Sequence, residues 1–532
     1  MNTISIIFWI FIFLYIGIAS LLAKYIKNSN DFYVMSNRGT TLLITGTLLA
    51  SFLSSSTFMG IAGIVYENGP PIFLLVFTSW IGVVLAALYT GRQLRASGCK
   101  TMPDFLEYRF GSSVRIIGTI IMLVGLIGYG LIQLMGAGVV LTSITGLSYE
   151  LMIILFIGVL LIFGALGGMW AVIVTDTVMC ITFIIATFYI APAGIIESGG
   201  LTAITETLYR ENPLYFSSGG AVLQAPIGWS VGQFALWALF MAAAPWLATR
   251  VLPAKNDFVV MKSAIWSILL ATMMVTILYL GVFAVRVLNP AIDPPDGVLI
   301  WMAQTLVNPV VGGIGIAGIM AAILSTTSTI FIFAGFALSR DLYERMSKRE
   351  LSDKEKIGAA RISQAIIAAL MLVIALMQPV SIYWIGAWAG ALFAVSWLPV
   401  LVAGFHWKKA NKYGIISSMI GGTISYILLY QMVERWGTFT LPYGIDPVIP
   451  AVIISCALLY VVSITGKTEQ SYIENYEKMK AVSLNEETLN QFEGKRSALV
   501  KDYKSTRNLA IFSSIIAFIF FGYFIIEVAL KV

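Results

Sequence analysis

The chain of 532 residues contains few of the side chains that enzymes use for acid–base, nucleophilic or metal chemistry. It has one histidine, His406, and three cysteines that lie far apart, Cys99, Cys180 and Cys456. No HExxH, GxSxG or P-loop pattern is present. Because the cysteines show no metal-binding or disulfide spacing, neither kind of site is expected. We therefore predict that the protein is not an enzyme.

Charge is also scarce, since Asp, Glu, Lys and Arg make up 11% of the residues, 58% are hydrophobic and the mean hydropathy is +0.88. A helix of about 20 apolar residues spans a bilayer, and runs of this length recur along the whole chain. This composition predicts an all-α polytopic membrane protein of about fourteen spans. They lie near residues 4–26, 40–67, 71–97, 113–145, 149–165, 168–191, 228–249, 257–288, 308–340, 357–377, 380–406, 413–431, 448–465 and 509–530.

The basic residues are distributed unevenly between the loops. Most of the Lys and Arg residues lie in loops that follow odd-numbered spans. Examples are Arg250 after the seventh span and six Lys and Arg residues between 340 and 356 after the ninth. The alternate loops hold little beyond Arg210 and Arg286. By the positive-inside rule the basic loops are cytoplasmic, which places both termini outside. The net charge of +6 is thus a topology signal and does not indicate nucleic-acid binding. We expect a multi-pass protein of the plasma (cell inner) membrane.

Five consecutive hydroxyl residues, Ser325 to Thr329, lie inside the ninth span. A buried hydroxyl without a partner costs about 2–7 kcal/mol, so these side chains need partners. Ser325, Ser328 and Thr329 share one helix face, where neutral oxygens suit a hard monovalent cation such as Na⁺. The alternative is that small hydroxyl residues only let helices pack closely. The spacing alone leaves both interpretations open.

Two spans carry interruptions that a simple membrane anchor would not need. In the second span, the hydroxyl run 54–57 is followed by Gly60 and Gly63, and in the seventh span Gly232 precedes Pro245. Non-helical backbone at membrane depth is tolerated where it is buried or lines a cavity. Paired interruptions of this kind point to a transporter binding site. Spans two to six and seven to eleven form two sets of five, which predicts two repeats of opposite orientation.

Five segments resemble, in order, motifs of the sodium:solute symporter family: Asp31–Arg38, Ala50–Gly60, Gly167–Asp176, Ala244–Asn256, and Ala321–Thr329 with its continuation Leu338–Tyr343. The resemblance extends from about residue 30 to 465. It implies a LeuT-like 5+5 inverted-repeat fold and Na⁺-coupled symport by alternating access. We divide the chain into an N-terminal extra helix with the first cytoplasmic loop, a five-helix repeat, an extracellular loop, a second five-helix repeat, and C-terminal accessory helices with a charged cytoplasmic loop near 466–508. These parts are residues 1–39, 40–194, 195–227, 228–406 and 407–532.

The resemblance also implies two ion sites. The main Na⁺ site of the family is formed by three backbone carbonyls and two hydroxyls. By resemblance these are the carbonyls of Ala50, Leu53 and Ala322 and the hydroxyls of Ser325 and Thr326. Carbonyls at a helix break have lost their helical partners, and neutral oxygens bind Na⁺ without a fixed charge, which permits release to the cytoplasm.

Asp176 is the only carboxylate deep within a predicted core helix, and an acid at such a position is a functional candidate. In some members of the family the matching acid forms a second Na⁺ site with hydroxyls that correspond to Ser325, Ser328 and Thr329. The alternative is that Asp176 only accepts a hydrogen bond from a neighbouring hydroxyl.

A solute should bind at the midplane beside the broken helices. The candidate residues for this site are Ser54, Ser56, Thr57, Gln133, Gln233, Trp237, Tyr383 and Trp388. Position 52 is Phe, where several members carry Asp or Asn, so their proline and sugar specificities do not transfer. No Arg or Lys is expected at the depth of the pocket.

We expect a small organic solute, with a carboxylate of the monocarboxylate or pantothenate type favoured by the run Ala50–Ser54. A sugar, an amino acid or another neutral or zwitterionic solute is the alternative. A transporter-like membrane sensor is a rival of another class, although no signalling domain is evident. The partners are then the solute, Na⁺ and the lipid bilayer, and we expect the monomer to be functional.

Overall fold

The computed structural model describes residues 2–22, 35–72, 79–347, 351–377, 381–481, 504–508, 511–512 and 515. Within these ranges the chain is helical, and the only β-type pairing is an isolated bridge between Gly39 and Ala254. The prediction of an all-α chain is confirmed for this part of the protein.

The helices of the described ranges are numbered in chain order. Up to residue 211 they are α1 Thr3–Leu22, α2 Thr41–Phe52, α3 Ser56–Asn68, α4 Ser79–Leu85 with its continuations Ala86–Gly91 and Arg92–Ala96, α5 Met102–Phe110, α6 Ser112–Thr145, α7 Tyr149–Glu197 and α8 Gly200–Glu211. Beyond it they are α9 Ile227–Ala243, α10 Pro245–Thr249, α11 Asp257–Leu288, α12 Val298–Thr305, α13 Pro309–Glu344, α14 Asp353–Leu376, α15 Ile382–His406, α16 Lys412–Arg435, α17 Val448–Thr465 and α18 Gln470–Ala481.

Most of the predicted spans correspond to helices. In the described part of the chain, nine helices are long and apolar enough to cross a membrane, and the bent pair of α2 and α3 makes a tenth span. The predicted last span, 509–530, lies largely outside the described residues, and the predicted third span, 71–97, lies partly outside them.

The predicted division between spans 149–165 and 168–191 is not seen, because the single helix α7 runs through both. The glycine pair 167–168 weakens a helix by about 1 kcal/mol per residue relative to alanine. Two residues are also too few to form a turn between two helices, so the helical path continues.

The centre of the bundle is α13. Its start is fixed by Asn308, whose side chain accepts the backbone N–H groups of Val310 and Val311, and by Pro309 at the first helical position. From 315 to 337 every residue of α13 is buried, so its hydroxyl strip faces protein and does not face lipid.

Helices α13 and α2 both pack closely on α7. A side chain at Gly318 of α13 would place its Cβ atom 3.0 Å from the Phe183 Cα atom. A side chain at Gly46 of α2 would place its Cβ atom 2.8 Å from the Thr177 Cα atom. Glycine is required at both positions because the two backbones leave no room for a Cβ atom.

Both predicted interruptions are present. Helix α2 ends at Phe52, Leu53 is extended with φ −77° and ψ 118°, and the chain resumes as α3 at an angle of 55°. Helix α9 ends at Ala243, Ala244 is extended with φ −66° and ψ 114°, and Pro245 begins α10. The proline cannot donate the helical hydrogen bond that would carry α9 onward. The two breaks fall in the first helix of each predicted five-helix set.

A candidate cation and solute site at the helix breaks

The break of α2 lies against the hydroxyl strip of α13. The last helical hydrogen bond of α2 runs from Leu53 N to Leu49 O. The next carbonyl, Ala50 O, instead accepts the Thr326 hydroxyl at 3.1 Å. Beside it, the buried Ser325 hydroxyl has no hydrogen-bond partner among the described residues. The structure therefore brings together a carbonyl at the helix break and the Thr326 hydroxyl, two neutral oxygens of the kind that suits Na⁺.

The two remaining predicted ligands of this site are also fully buried. Leu53 is the extended residue of the break, so its carbonyl no longer follows the axis of α2. Ala322 lies one turn before Thr326 on α13. Among the described residues, the Ser325 and Thr326 hydroxyls donate to neither of these carbonyls, so the place of the two carbonyls in an ion site is a proposal.

Asp176 forms a buried ion pair that the sequence analysis did not anticipate. The Asp176 carboxylate oxygen Oδ2 lies 3.2 Å from Arg250 Nη2, and both side chains are at most 2% exposed. The same oxygen accepts the Thr47 hydroxyl at 2.6 Å. Arg250 Nε donates to the Ser51 hydroxyl at 2.8 Å, and Arg250 Nη2 donates to the Thr329 hydroxyl.

The expectation that Arg250 lies in a cytoplasmic loop, with no fixed cation near the pocket, is wrong. The break at Ala244 redirects the chain into the short helix α10, which ends at Thr249, and the following side chain enters the protein. The signal in the sequence was a single arginine inside the apolar run 245–254. A lone cation in such a run is costly to bury unless it has a partner.

Two of the three hydroxyls of the implied second ion site, those of Ser328 and Thr329, are already bonded. Ser328 Oγ donates to the Ser325 carbonyl at 3.0 Å, and Thr329 Oγ1 donates to the same carbonyl at 2.8 Å. Thr329 in turn accepts from Arg250. The predicted residues thus lie together around Asp176, with a guanidinium group among them.

A small cavity lies beside the break of α2, with space for about one water molecule. Its walls include Phe52, Ser56, Thr57, Tyr129, Trp237 and Tyr279. Ser56, Thr57 and Trp237 are predicted solute residues, and Phe52 is the position that departs from several family members. Among the described residues, the Ser56 hydroxyl and the Trp237 indole N–H have no hydrogen-bond partner although both are buried.

Ser54 and Gln133 lie at the same break. The Ser54 hydroxyl is 3.4 Å from the Tyr129 hydroxyl. Gln133 Oε1 accepts the backbone N–H of Ser55 at 3.1 Å, which fixes the orientation of the amide. Its Nε2 group is buried and has no partner in the part of the chain that the structure describes. The break therefore presents an unpaired N–H donor on α6.

The other predicted solute residues lie on α9 and α15. Gln233 Oε1 accepts the Tyr383 hydroxyl at 2.9 Å, and Gln233 Nε2 donates to Asp446 Oδ2 at 2.8 Å. These two residues form a bonded pair behind the cavity. Trp388 does not line the cavity but faces α6, where its ring edge is 4.0 Å from the Cβ position of Gly128. Asp446 was missed because it lies in a loop far along the sequence.

The arrangement defines a class of protein. Two helices broken at membrane depth, a buried strip of neutral oxygens and a small cavity between them are the features of a secondary active membrane transporter.

The chain belongs to the sodium:solute symporter family, whose model matches residues 32–422. This is a family of transporters, in agreement with the prediction that the protein is not an enzyme. A sodium/pantothenate symporter of Haemophilus influenzae is 28% identical over 433 residues, which cover 78% of this chain and 88% of that protein. A high-affinity proline transporter of Bacillus subtilis is 27% identical over 435 residues, covering 77% and 90%.

Among solved structures, a Na⁺-coupled sialic acid symporter in a substrate-bound outward-open state is similar to this chain, with a TM-score of 0.75 at 17% identity. The similarity covers 88% of this chain and 99% of the symporter. The two proteins therefore share their fold, and the predicted transporter architecture is confirmed at this level.

Proposed function

We propose that the protein imports a small organic carboxylate together with Na⁺ across the plasma membrane, as a monomer working by alternating access. The observation that carries this proposal is the hydrogen bond between the Thr326 hydroxyl and the Ala50 carbonyl at the break of α2, beside the unpaired Ser325 hydroxyl.

In this proposal Na⁺ binds between α13 and the break of α2. It takes the carbonyl oxygens of Ala50, Leu53 and Ala322 and the hydroxyl oxygens of Ser325 and Thr326. The ion satisfies the buried Ser325 oxygen, which otherwise costs free energy. Because the ligands carry no net charge, the ion is not held by a fixed anion and can leave to the cytoplasm.

Ion binding also supports solute binding in this scheme. A cation that joins α13 to the break of α2 holds the orientation of α3. The Ser54 and Ser56 positions at the start of α3 then keep a fixed place beside the cavity. A ligand that binds one arrangement more tightly than the others shifts the protein toward it, and this shift is the coupling that symport requires.

The unpaired donors favour a solute with acceptor oxygens. Trp237 Nε1–H and Gln133 Nε2–H are buried donors without partners in the described chain. A buried unpaired donor costs about 1–3 kcal/mol, so a ligand that accepts from both recovers this free energy. A carboxylate supplies two acceptor oxygens. Pantothenate, proline and sialic acid, the solutes in the names of the similar proteins, all contain one.

Uptake by purified protein in proteoliposomes tests the proposal. With radiolabelled pantothenate or proline outside, we expect accumulation under an inward Na⁺ gradient and little accumulation when K⁺ replaces Na⁺. A proton gradient that drives uptake equally well without Na⁺ would contradict Na⁺ coupling. A thermal-shift screen against carboxylates, amino acids, sugars and polyols, with and without Na⁺, would reveal a neutral solute instead. A ligand at 100 times its dissociation constant adds about 2.7 kcal/mol of stability.

A further inference from the structure

A loop outside the region that matches the family model reaches the candidate solute site. Gly228 and Gly232 of α9 let this loop lie directly on the helix, because a Cβ atom at these positions would approach Tyr443 O to 2.3 Å and the Asp446 Cβ atom to 2.2 Å. The matched region ends at residue 422, so Asp446 lies beyond it.

Asp446 is buried, with 8% of its surface exposed, and both of its carboxylate oxygens are bonded. Oδ1 accepts the backbone N–H of Val448 at 2.8 Å, at the start of α17. Oδ2 accepts Gln233 Nε2 at 2.8 Å. Because a carboxylate only accepts hydrogen bonds, it requires the NH₂ group of Gln233 to face it.

The orientation of the Gln233 amide sets the direction of the next hydrogen bond. Its oxygen is left to face α15, where it accepts the proton of the Tyr383 hydroxyl at 2.9 Å. The Tyr383 hydroxyl then has only lone pairs for its other neighbours. One neighbour is the indole of Trp237, whose N–H lies near the hydroxyl without reaching hydrogen-bond geometry.

We propose that Asp446 is a positioning residue that fixes the donor and acceptor pattern of the solute site through Gln233, Tyr383 and Trp237. Trp237 lines the cavity, and this pattern keeps the Tyr383 proton away from its indole N–H, so that the N–H can donate to a solute oxygen. The inference rests on the proposed function, because it assigns the cavity to the solute and specifies an acceptor group as the feature recognised.

The substitution Asp446→Asn reverses the pattern while keeping the shape of the side chain. The Val448 N–H holds the single carbonyl oxygen of the new amide, so its NH₂ group faces Gln233. Gln233 must then turn its oxygen toward position 446 and its NH₂ group toward Tyr383. The proton of the Tyr383 hydroxyl is displaced toward the Trp237 N–H, where two donors meet and repel.

The double variant Gln233→Glu with Asp446→Asn restores the direction of the hydrogen bond from Tyr383 to residue 233. A carboxylate at 233 accepts from the amide at 446 with one oxygen and from the Tyr383 hydroxyl with the other. Gln233→Glu alone instead places two buried carboxylates face to face. The two single variants and the double variant therefore form a matched set: the double variant keeps the Tyr383 hydroxyl donating to residue 233 and has no facing carboxylates, although the hydrogen bond between positions 233 and 446 reverses its direction.

The experiment measures uptake of radiolabelled pantothenate in proteoliposomes at saturating Na⁺. We expect Asp446→Asn to raise the KM at least tenfold, which corresponds to about 1.4 kcal/mol, with a smaller change in the maximal rate. The Na⁺ concentration for half-maximal uptake should stay unchanged, since that site lies elsewhere. The double variant should recover most of the KM. An unchanged KM in a folded Asp446→Asn protein would overturn the proposal.

A readout without solute separates this inference from the proposed function. In detergent, each single variant should unfold at a lower temperature than the parent, and the double variant should unfold near the parent temperature. If the parent transports neither pantothenate nor proline, the proposed solute class fails. The comparison of unfolding temperatures between the single and double variants still decides the role of Asp446. Strictly additive losses in the double variant would overturn the hydrogen-bond chain.

Discussion

Arg250 and Asp176 form an ion pair in the centre of the protein, with 3.2 Å between Nη2 and Oδ2. The pair joins the segment after the break of α9 to α7. The Arg250 guanidinium also donates to Ser51 on α2 and to Thr329 on α13. A single side chain therefore contacts three helices around the candidate ion site, and it supplies a positive charge where a second Na⁺ has been inferred from the family.

We predict that the protein couples one Na⁺ to each solute molecule. A second ion at Asp176 would have to separate the guanidinium from its carboxylate, and breaking a buried ion pair costs about 3–5 kcal/mol. Reversal potentials in proteoliposomes give the ratio, because each additional charge adds about 2.3 kcal/mol of driving force per 100 mV. A ratio of two in the parent protein would show that the guanidinium moves away during the cycle and that Asp176 binds an ion.

A stability experiment on the same pair provides the control. Arg250→Met leaves a buried carboxylate, so this variant should unfold at a lower temperature and be restabilised by Na⁺ more strongly than the parent. The double variant Asp176→Asn with Arg250→Met has no buried charge and should regain stability without Na⁺. Equal effects of Na⁺ and K⁺ on Arg250→Met would mean that the pocket around Asp176 does not accept Na⁺.

We predict that replacing Ser325 and Thr326 together by alanine raises the Na⁺ concentration for half-maximal uptake at least tenfold. This corresponds to a loss of about 1.4 kcal/mol of binding free energy, because two of the five proposed oxygens are removed. Thr327→Val is a matched control, since the Thr327 hydroxyl bonds back to the Ile323 carbonyl within α13 and not to the break. A similar change in both proteins would indicate a general effect on α13.

We predict that stability falls as the pH rises from about 4 to 6. Burial raises the pKa of Asp446 from 3.8 to about 6, and the charge of Glu434 adds to this rise. In this window the folded protein holds a proton that the unfolded chain has released, which lowers the free energy of unfolding by about 1.4 kcal/mol per pH unit. Burial raises the pKa of Asp296 to about 6 as well, so this loop residue acts in the same direction.

Unfolding temperatures measured between pH 4 and 8 check this prediction. Asp446→Asn and Asp296→Asn should each reduce the slope between pH 4 and 6, and the double variant should reduce it further than either single variant. A parent protein that becomes more stable over this range would contradict the prediction, since it would require carboxylates that are better stabilised as anions in the folded state.

We predict that both termini face the outside of the cell. The prediction follows from the excess of Lys and Arg in alternate loops, counted over the fourteen spans that the sequence predicts. Epitope tags at the two ends should be accessible to antibodies on intact cells, whereas a tag in the segment 466–508 should need permeabilised cells. Tags at the ends that become accessible only after permeabilisation would reverse the orientation.

The sequence was sufficient to predict features that depend on local chemistry. The break at Leu53 and the break before Pro245 follow from hydroxyl, glycine and proline residues within a span, and both are present. The pairing of Thr326 with Ala50 agrees with the family motif. Local chemistry determines these features because an interrupted helix exposes its carbonyls wherever it packs.

Features that depend on tertiary packing could not be predicted. The sequence predicts that Arg250 is a loop cation, whereas in the structure the turn after Ala244 directs it toward Asp176. In the sequence Asp446 is an ordinary polar loop residue, whereas in the structure Gly228 and Gly232 allow its loop to contact α9. In both cases the partner is far away in sequence, and the contact depends on a backbone geometry that no local pattern specifies.

The close packing of two helices on α7 determines where the molecule can bend. Gly46 of α2 and Gly318 of α13 leave no gap against α7, so these three segments form one rigid unit. When such a unit moves relative to its neighbours, the change in backbone dihedral angles is absorbed at a few residues. Leu53 and Ala244, each extended between two helical pieces, are the residues where we expect this change. In the proposed transport cycle, α3 and α9 would rotate about these two residues while the part of the ion site on α2 and α13 stays in place.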